Sequence, residues 1–312
     1  MTFTVINGLI RPLLESRLPD WVEPRWYMST DELMELAPQA EIGWLDSYED
    51  GATEAASRIA TKLRWINTIA AGVEHFPLDA FRANGVALTN GAGINAVTIA
   101  EYAVMGMLVV AKGYRQVMRA AERHEWLADS PGKVELLGSK ALVIGAGAIG
   151  GGIAERLAPF GVEVTKVRRT PGSGELGPDD WRARLGEFDW VIVTAPSTSA
   201  TEHMIGADEL AAMKSTATLM NFARGNLVDQ TALVAALKAR RIGAAWLDVV
   251  DPEPLPPEHE LWTLDNAHIS MHLSGRAQNM MFIRSADRFL ANLDRWHRGE
   301  PLSHVVDLGA GY

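Results

Sequence analysis

Short apolar runs alternate with segments of helical period along most of the chain. In the N-terminal part, Thr4-Val5-Ile6, Ile42-Gly43-Trp44-Leu45, the stretch from Leu63 to Ile69 and the stretch from Val86 to Asn90 read as strands. Asp31 to Ala37, Glu54 to Ala60 and Leu78 to Ala83 read as helices between them. Strand and helix in turn predict a parallel sheet covered on both faces. Asn95 to Gly113 predicts one long, largely apolar helix.

A second alternating series begins at Lys140. Ala141 to Ile144, Val162 to Val167, Trp190 to Thr194, Thr218 to Phe222, Ala244 to Val249 and His268 to Ser270 read as strands. Gly152 to Phe160, Asp208 to Met213 and Gln230 to Ala239 read as helices, and Arg276 to Arg298 as a long closing helix. The Pro-rich stretch from Asp251 to Pro257 can be neither helix interior nor central strand, so it is a loop. The fold expected is α/β: two Rossmann-like, doubly wound parallel-sheet domains. The crossings are expected near Gly93 and Gln278. Residues 94–278 then form one domain, and residues 1–93 with 279–312 form a discontinuous second one. The active site is expected in the cleft between them, where closure excludes water.

Composition narrows the function. The chain has 312 residues and a formal net charge of −10, which disfavours nucleic acid or an anionic membrane as the main partner. It has no cysteine, which excludes disulfides, zinc-thiolate sites and a thiol nucleophile. No signal peptide is read at the N-terminus, and no apolar run is long enough to span a bilayer, so a cytoplasmic protein is expected.

The strongest local motif is Gly145-Ala146-Gly147-Ala148-Ile149-Gly150, which follows an apolar strand and opens a helix. In that setting the first glycine permits a tight turn, and the second lets backbone approach a pyrophosphate. The third lets helix and strand pack closely, and free amides at the helix start face the phosphates. The next strand ends in Val167-Arg168-Arg169-Thr170, where an NAD site carries an acid for the ribose 2′-hydroxyl. Guanidinium groups bind a 2′-phosphate instead. NADP(H) is therefore the expected cofactor, with Arg168 and Arg169 clamping the phosphate and Thr170 adding a hydroxyl. NAD(H) remains possible.

Three polar residues follow apolar strands of the second series: Arg224 after Asn221-Phe222-Ala223, Glu253 within Asp251-Pro252-Glu253-Pro254-Leu255-Pro256, and His272 after Ile269-Ser270-Met271. The carboxyl ends of strands are where such sheets bind ligands. Singly, each residue has an ordinary structural explanation. In this order after the glycine loop, they make the chain resemble the D-isomer-specific 2-hydroxyacid dehydrogenase family, over nearly its whole length. Within that family the resemblance is strongest to the glyoxylate/hydroxypyruvate reductase branch.

The resemblance implies that Arg224 holds the substrate carboxylate and polarises its ketone, that His272 is the acid/base, and that Glu253 pairs with it. The chemistry agrees: hydride addition to a 2-keto carbon develops negative charge on oxygen, which a protonated imidazole can neutralise. A neighbouring carboxylate favours that charged form. The resemblance further implies that Ala71, Gly72 and Val73 bind the carboxylate through backbone amides. It places Thr98 near the nicotinamide and Ala195-Pro196 beneath the adenosine, and makes Asp248 a candidate for the carboxamide. Ala223 is read with the cofactor contacts. His75 and His268 are read as structural, and Trp44, Trp246 and Trp262 as possible pocket walls.

Three departures stand out: Met271 where the family commonly has Pro, no Pro before Gly91, and Arg168 in place of an acid. No metal is implied. The expected partner is a small 2-keto or 2-hydroxy acid, and the resemblance implies a homodimer through the helix after Asn95 and neighbouring loops; Gly106 and Ala111 there would permit close helix approach, but small residues also suit an internal core. The expected activity is NADPH-dependent reduction to the D-2-hydroxy acid. The alternatives are an oxidising D-2-hydroxyacid dehydrogenase for another side chain and a dinucleotide-sensing regulator without turnover.

Overall fold

The computed structural model describes residues 1–276 and 278–311. Ala277, inside the expected closing helix, and Tyr312 lie outside the described residues. The chain divides into two compact units, Met1–Asn95 with Ala277–Tyr312, and Ala96–Arg276.

The first unit carries β1 (Thr2–Asn7), α1 (Arg11–Leu14), β2 (Val22–Tyr27), α2 (Thr30–Leu36), β3 (Ile42–Trp44), α3 (Ala52–Ile59), β4 (Trp65–Asn67), α4 (Leu78–Asn84) and β5 (Ala87–Thr89). Its strands are all parallel, in the order β2-β1-β3-β4-β5. Strand β2 is absent from the hydrophobic pattern because Pro24 and its charged neighbours Glu23 and Arg25 interrupt it. It survives as a strand because it lies at the sheet edge, where a missing amide leaves no ladder bond unmade.

In the second unit α5 (Ala96–Ala111) and α6 (Tyr114–Glu122) precede β6 (Lys140–Ile144), α7 (Ala148–Leu157), β7 (Glu163–Val167) and β8 (Trp190–Val193). Then follow α8 (Ala207–Ala212), β9 (Thr218–Asn221), α9 (Gln230–Lys238), β10 (Ala244–Leu247) and β11 (Ala267–Ile269). These strands are also parallel, in the order β11-β10-β9-β8-β6-β7. The helix expected from Asn95 to Gly113 is α5, Ala96–Ala111, and α6, which the pattern does not mark, follows it after a sharp bend. Gly113 takes φ +60°, and the axes of α5 and α6 differ by 72°. Gly106 and Ala111 do not present an open face for a second helix. A Cβ on Gly106 would stand 2.8 Å from the Trp246 ring, and Ala111 is buried in the same core. No single helix among the described residues is long and apolar enough to cross a membrane.

The chain returns to the first unit with α10 (Gln278–Arg298). Ala286, Phe289 and Leu293 of α10 fill a core shared with Ile6, Trp44 and Trp65, and the Phe289 ring lies 5.1 Å from that of Trp44 and 5.2 Å from that of Trp65. Arg284 donates to the Ile94 carbonyl at 2.9 Å, and Arg288 to those of Asn90 and Ala92 at 3.0 and 2.8 Å. Beyond α10, Val306 donates to Leu88 at 2.8 Å, so the C-terminal segment lies along β5.

Candidate active site

Strands β9, β10 and β11 are consecutive neighbours, and their register aligns Asn221, Leu247 and Ile269 in one row. Arg224, Glu253 and His272 all follow that row, so parallel pairing gathers three loops from distant sequence at one edge. Gly225 lets the first two loops touch: a Cβ there would stand 2.0 Å from the Val250 carbonyl oxygen. The Arg224 guanidinium donates to the Ala223 carbonyl at 2.9 Å, and Asn221 donates to the Arg224 carbonyl at 2.8 Å.

His272 Nδ1 lies 2.8 Å from Glu253 Oε2, and the other carboxylate oxygen, Oε1, accepts from the Val250 amide at 3.1 Å. The carboxylate is thus fixed by backbone and in turn orients the ring. With Nδ1 engaged, Nε2 is the nitrogen left for other work. The His272 loop is itself held from below. Its amide donates to the Asp248 carbonyl at 2.6 Å, and the buried Asp248 carboxylate accepts from Ser270 Oγ at 2.8 Å, from the Ser274 amide at 3.2 Å and from the Ser274 hydroxyl. The geometry therefore gives Asp248 a structural task, clamping the loop that carries His272. Met271 and His272 both adopt left-handed backbone, φ +53° and +55°. A proline at 271 could not do so, because its ring holds φ near −65°. Trp262 lines, with Glu253, Leu255, Met271 and His272, a cavity of about 470 Å³. Trp246 is instead core, stacked on His268.

The glycine loop shows three distinct demands. Gly145 has φ +95°, and a Cβ there would stand 2.4 Å from the Ala195 amide nitrogen. Ala195-Pro196, leaving β8, thus crosses directly against the turn. On Gly150 a Cβ would meet the Gly145 carbonyl oxygen at 2.7 Å. Around Gly147, by contrast, a Cβ would meet nothing within 4 Å. Ala148, Ile149 and Gly150 supply the first-turn amides of α7, which have no partner inside the helix. Open space beside Gly147, facing unpaired amides, fits a pyrophosphate. Thr98 lies in the first turn of α5, whose Ala100 approaches Gly152 of α7. At the end of β7, Arg168 is not free: its Nε lies 3.2 Å from Glu175 Oε1, a partner that local sequence did not suggest. Arg169 and Thr170 follow, with exposed side chains.

In the first unit, Ala71, Gly72 and Val73 donate no hydrogen bond from their amides. The loop is fixed through other atoms. Gly91 donates to the Ala70 carbonyl at 2.7 Å and Asn90 to that of Ala71 at 2.8 Å. A Cβ on Gly91 would stand 1.9 Å from the Ile69 carbonyl oxygen. Asp46, which follows β3, was not singled out by pattern. Its carboxylate accepts from Thr68 Oγ1 at 2.6 Å, the Ile69 amide at 2.7 Å and Trp44 Nε1 at 2.9 Å. Burial raises its pKa above the usual carboxylate range, against the pull of those donors. A polar residue ending an apolar strand is the one signal that could have marked it. Trp44, Asp46, Ile69, Ala70 and His75 line a cavity of about 220 Å³.

His268 behaves as a core histidine. Burial, reinforced by the charges of Arg115 and Arg119, pushes its pKa down to about 4. In the unfolded chain the imidazole gains a proton below about pH 6.5. The folded protein therefore keeps its full stability from this residue above pH 6.5 and loses it as the pH falls toward 4, by about 3 kcal/mol. Replacing His268 by Phe should flatten the fall of Tm between pH 6.5 and 4. Parallel Tm curves for the two proteins would refute this.

Comparison with known proteins bears on the same segments. The D-isomer specific 2-hydroxyacid dehydrogenase NAD binding domain matches residues 104–274. The human glyoxylate reductase/hydroxypyruvate reductase is 33% identical over 262 residues, 79% of this chain and 77% of the relative. The chain belongs to the D-isomer-specific 2-hydroxyacid dehydrogenase family. Members of this family are NAD(P)-dependent oxidoreductases, and so is this one. A crystal structure of a family protein from Aeromonas salmonicida superposes with a TM-score of 0.86 at 26% identity, covering 98% of this chain and 99% of that one. An NADPH-dependent glyoxylate/hydroxypyruvate reductase from Sinorhizobium meliloti, solved with NADP and malonate, gives 0.77 at 25% identity, covering 99% and 98%.

Proposed function

We propose that this dehydrogenase reduces a small 2-keto acid of the glyoxylate/hydroxypyruvate class to the D-2-hydroxy acid, with NADPH as the preferred reductant. The observation that carries the reading is the 2.8 Å contact between His272 Nδ1 and Glu253 Oε2, beside the Arg224 loop at the aligned strand ends. The human and Sinorhizobium meliloti relatives are named for substrates of this class, which supports the reading. When bound, the dinucleotide supplies a hydride to the substrate's C2.

The chain's own residues do the rest. Arg224 binds carboxylate and ketone oxygen through its planar fork. His272 donates the proton on Nε2 to the developing alkoxide, while Glu253 keeps the ring oriented and compensates its charge. In the reverse direction neutral His272 takes the hydroxyl proton. Arg168 and Arg169 receive the 2′-phosphate that distinguishes NADPH.

Following NADPH absorbance with a panel of 2-keto acids, and repeating it with NADH, tests both halves. Turnover of glyoxylate and hydroxypyruvate with a higher kcat/KM for NADPH is expected. A preference for NADH would remove the cofactor assignment alone, and no turnover of any keto acid with either dinucleotide would remove the activity.

A further inference from the structure

The segment leaving β7 holds a carboxylate where the cofactor's 2′ position is read. Val167 ties this strand end to the glycine turn: its carbonyl accepts from the amides of both Gly145 and Ala146, each at 3.1 Å. Arg168 is therefore one peptide from the dinucleotide loop. The chain then doubles back. The Arg168 amide donates to Leu176 at 3.0 Å, and the Leu176 amide to Lys166 at 2.8 Å. This closure returns Glu175 to the side of Arg168, with Oε1 3.2 Å from Nε.

The two partners are not equally mobile. The second oxygen, Glu175 Oε2, accepts from the Gly172 amide at 2.9 Å, and the Glu175 side chain is 18% exposed against 45% for Arg168. The carboxylate is the fixed member and the guanidinium the movable one. A ribose 2′-hydroxyl can donate to such a carboxylate. A 2′-phosphate must share Arg168 with it and meets its charge.

We propose that Glu175 sets how strongly the site discriminates between the dinucleotides, favouring NADH by accepting from the 2′-hydroxyl and opposing NADPH by holding Arg168. The inference rests on the reading above that the 2′ position is met at Arg168 and Arg169. It makes Glu175 a specificity residue in a loop of no recognisable motif, and it predicts a protein that uses both cofactors rather than one alone.

The test measures kcat/KM for NADPH and NADH in wild type, Glu175→Gln, Arg168→Gln and the double variant. Glutamine keeps an oxygen for the Gly172 amide and removes the charge. Glu175→Ala is measured beside it, so that the result does not depend on how one replacement folds. Calorimetric binding of adenosine 2′,5′-bisphosphate and of AMP reports the same end of the site without turnover. The NADPH-to-NADH ratio, and the preference for the bisphosphate over AMP, should each rise about tenfold in Glu175→Gln, the scale of one charge-assisted hydrogen bond. The rise should shrink when Arg168 is already glutamine, as coupled residues require. Ratios unmoved in both Glu175 variants overturn the proposal, whichever dinucleotide the wild type prefers. A wild type that prefers NADH, with a ratio that still rises in Glu175→Gln, would refute the NADPH assignment and uphold the role of Glu175.

Discussion

Replacing His272 by glutamine is expected to lower kcat for keto-acid reduction by about a thousandfold, the usual scale for loss of a positioned proton donor. Glutamine can occupy the space beside Glu253 and still offer an N–H. It cannot deliver a proton and be left as a stable neutral group. The dissociation constants of NADPH and NADH, read by tryptophan fluorescence quenching, should stay within about twofold, because the glycine loop and the β7 end do not depend on the imidazole. A kcat within tenfold of wild type would mean that another group supplies the proton. The His272–Glu253 contact would then be one more ion pair with 50% and 37% exposed partners, worth little.

Gly145 and Gly147, two residues apart in one loop, should fail in opposite ways. Valine at Gly145 requires a β-branched residue at φ +95° and a Cβ 2.4 Å from the Ala195 backbone, so the β6–α7 turn must move. A loss of about 3 kcal/mol or more in stability is expected, with dinucleotide binding lost as well. Valine at Gly147 meets no neighbour within 4 Å, at an ordinary negative φ. Its Tm should stay near wild type while dinucleotide affinity falls at least a hundredfold, because the added side chain fills the space the pyrophosphate needs. Denaturant unfolding and calorimetric titration of both variants separate the cases. Unimpaired binding by Gly147→Val would show that the open space is not where phosphate sits.

These contrasts show where sequence reading succeeds and where it stops. The buried strands were legible because parallel strands covered on both faces are continuous apolar runs, as Leu142, Val143 and Ile144 are. Strand β2 was not, because an edge strand needs neither that run nor every amide. The hydrophobic pattern starts α7 at Gly152, four residues after its actual start at Ala148, because glycines there look like loop until their packing is known. Arg224, Glu253 and His272 could be found because each follows a readable strand. Asp46 and Glu175 could not. The first acts on Thr68 and Ile69 through strand pairing, and the second on Arg168 through a loop closure, and neither contact lies within one helix or strand. Asp248 was legible as a strand-end carboxylate, but its anchoring of Ser270 and Ser274 was not.

The discontinuous first unit also constrains the order of events on the ribosome. Its core around Trp44 and Trp65 lacks Phe289 and Leu293, and the carbonyls of Asn90, Ala92 and Ile94 lack their guanidinium partners, until α10 has emerged. The second unit is one uninterrupted stretch and has all its strands by Ile269. Vectorial synthesis therefore completes the nucleotide-binding half first, and the segment made earliest waits, with tryptophan surface uncovered, for the segment made last.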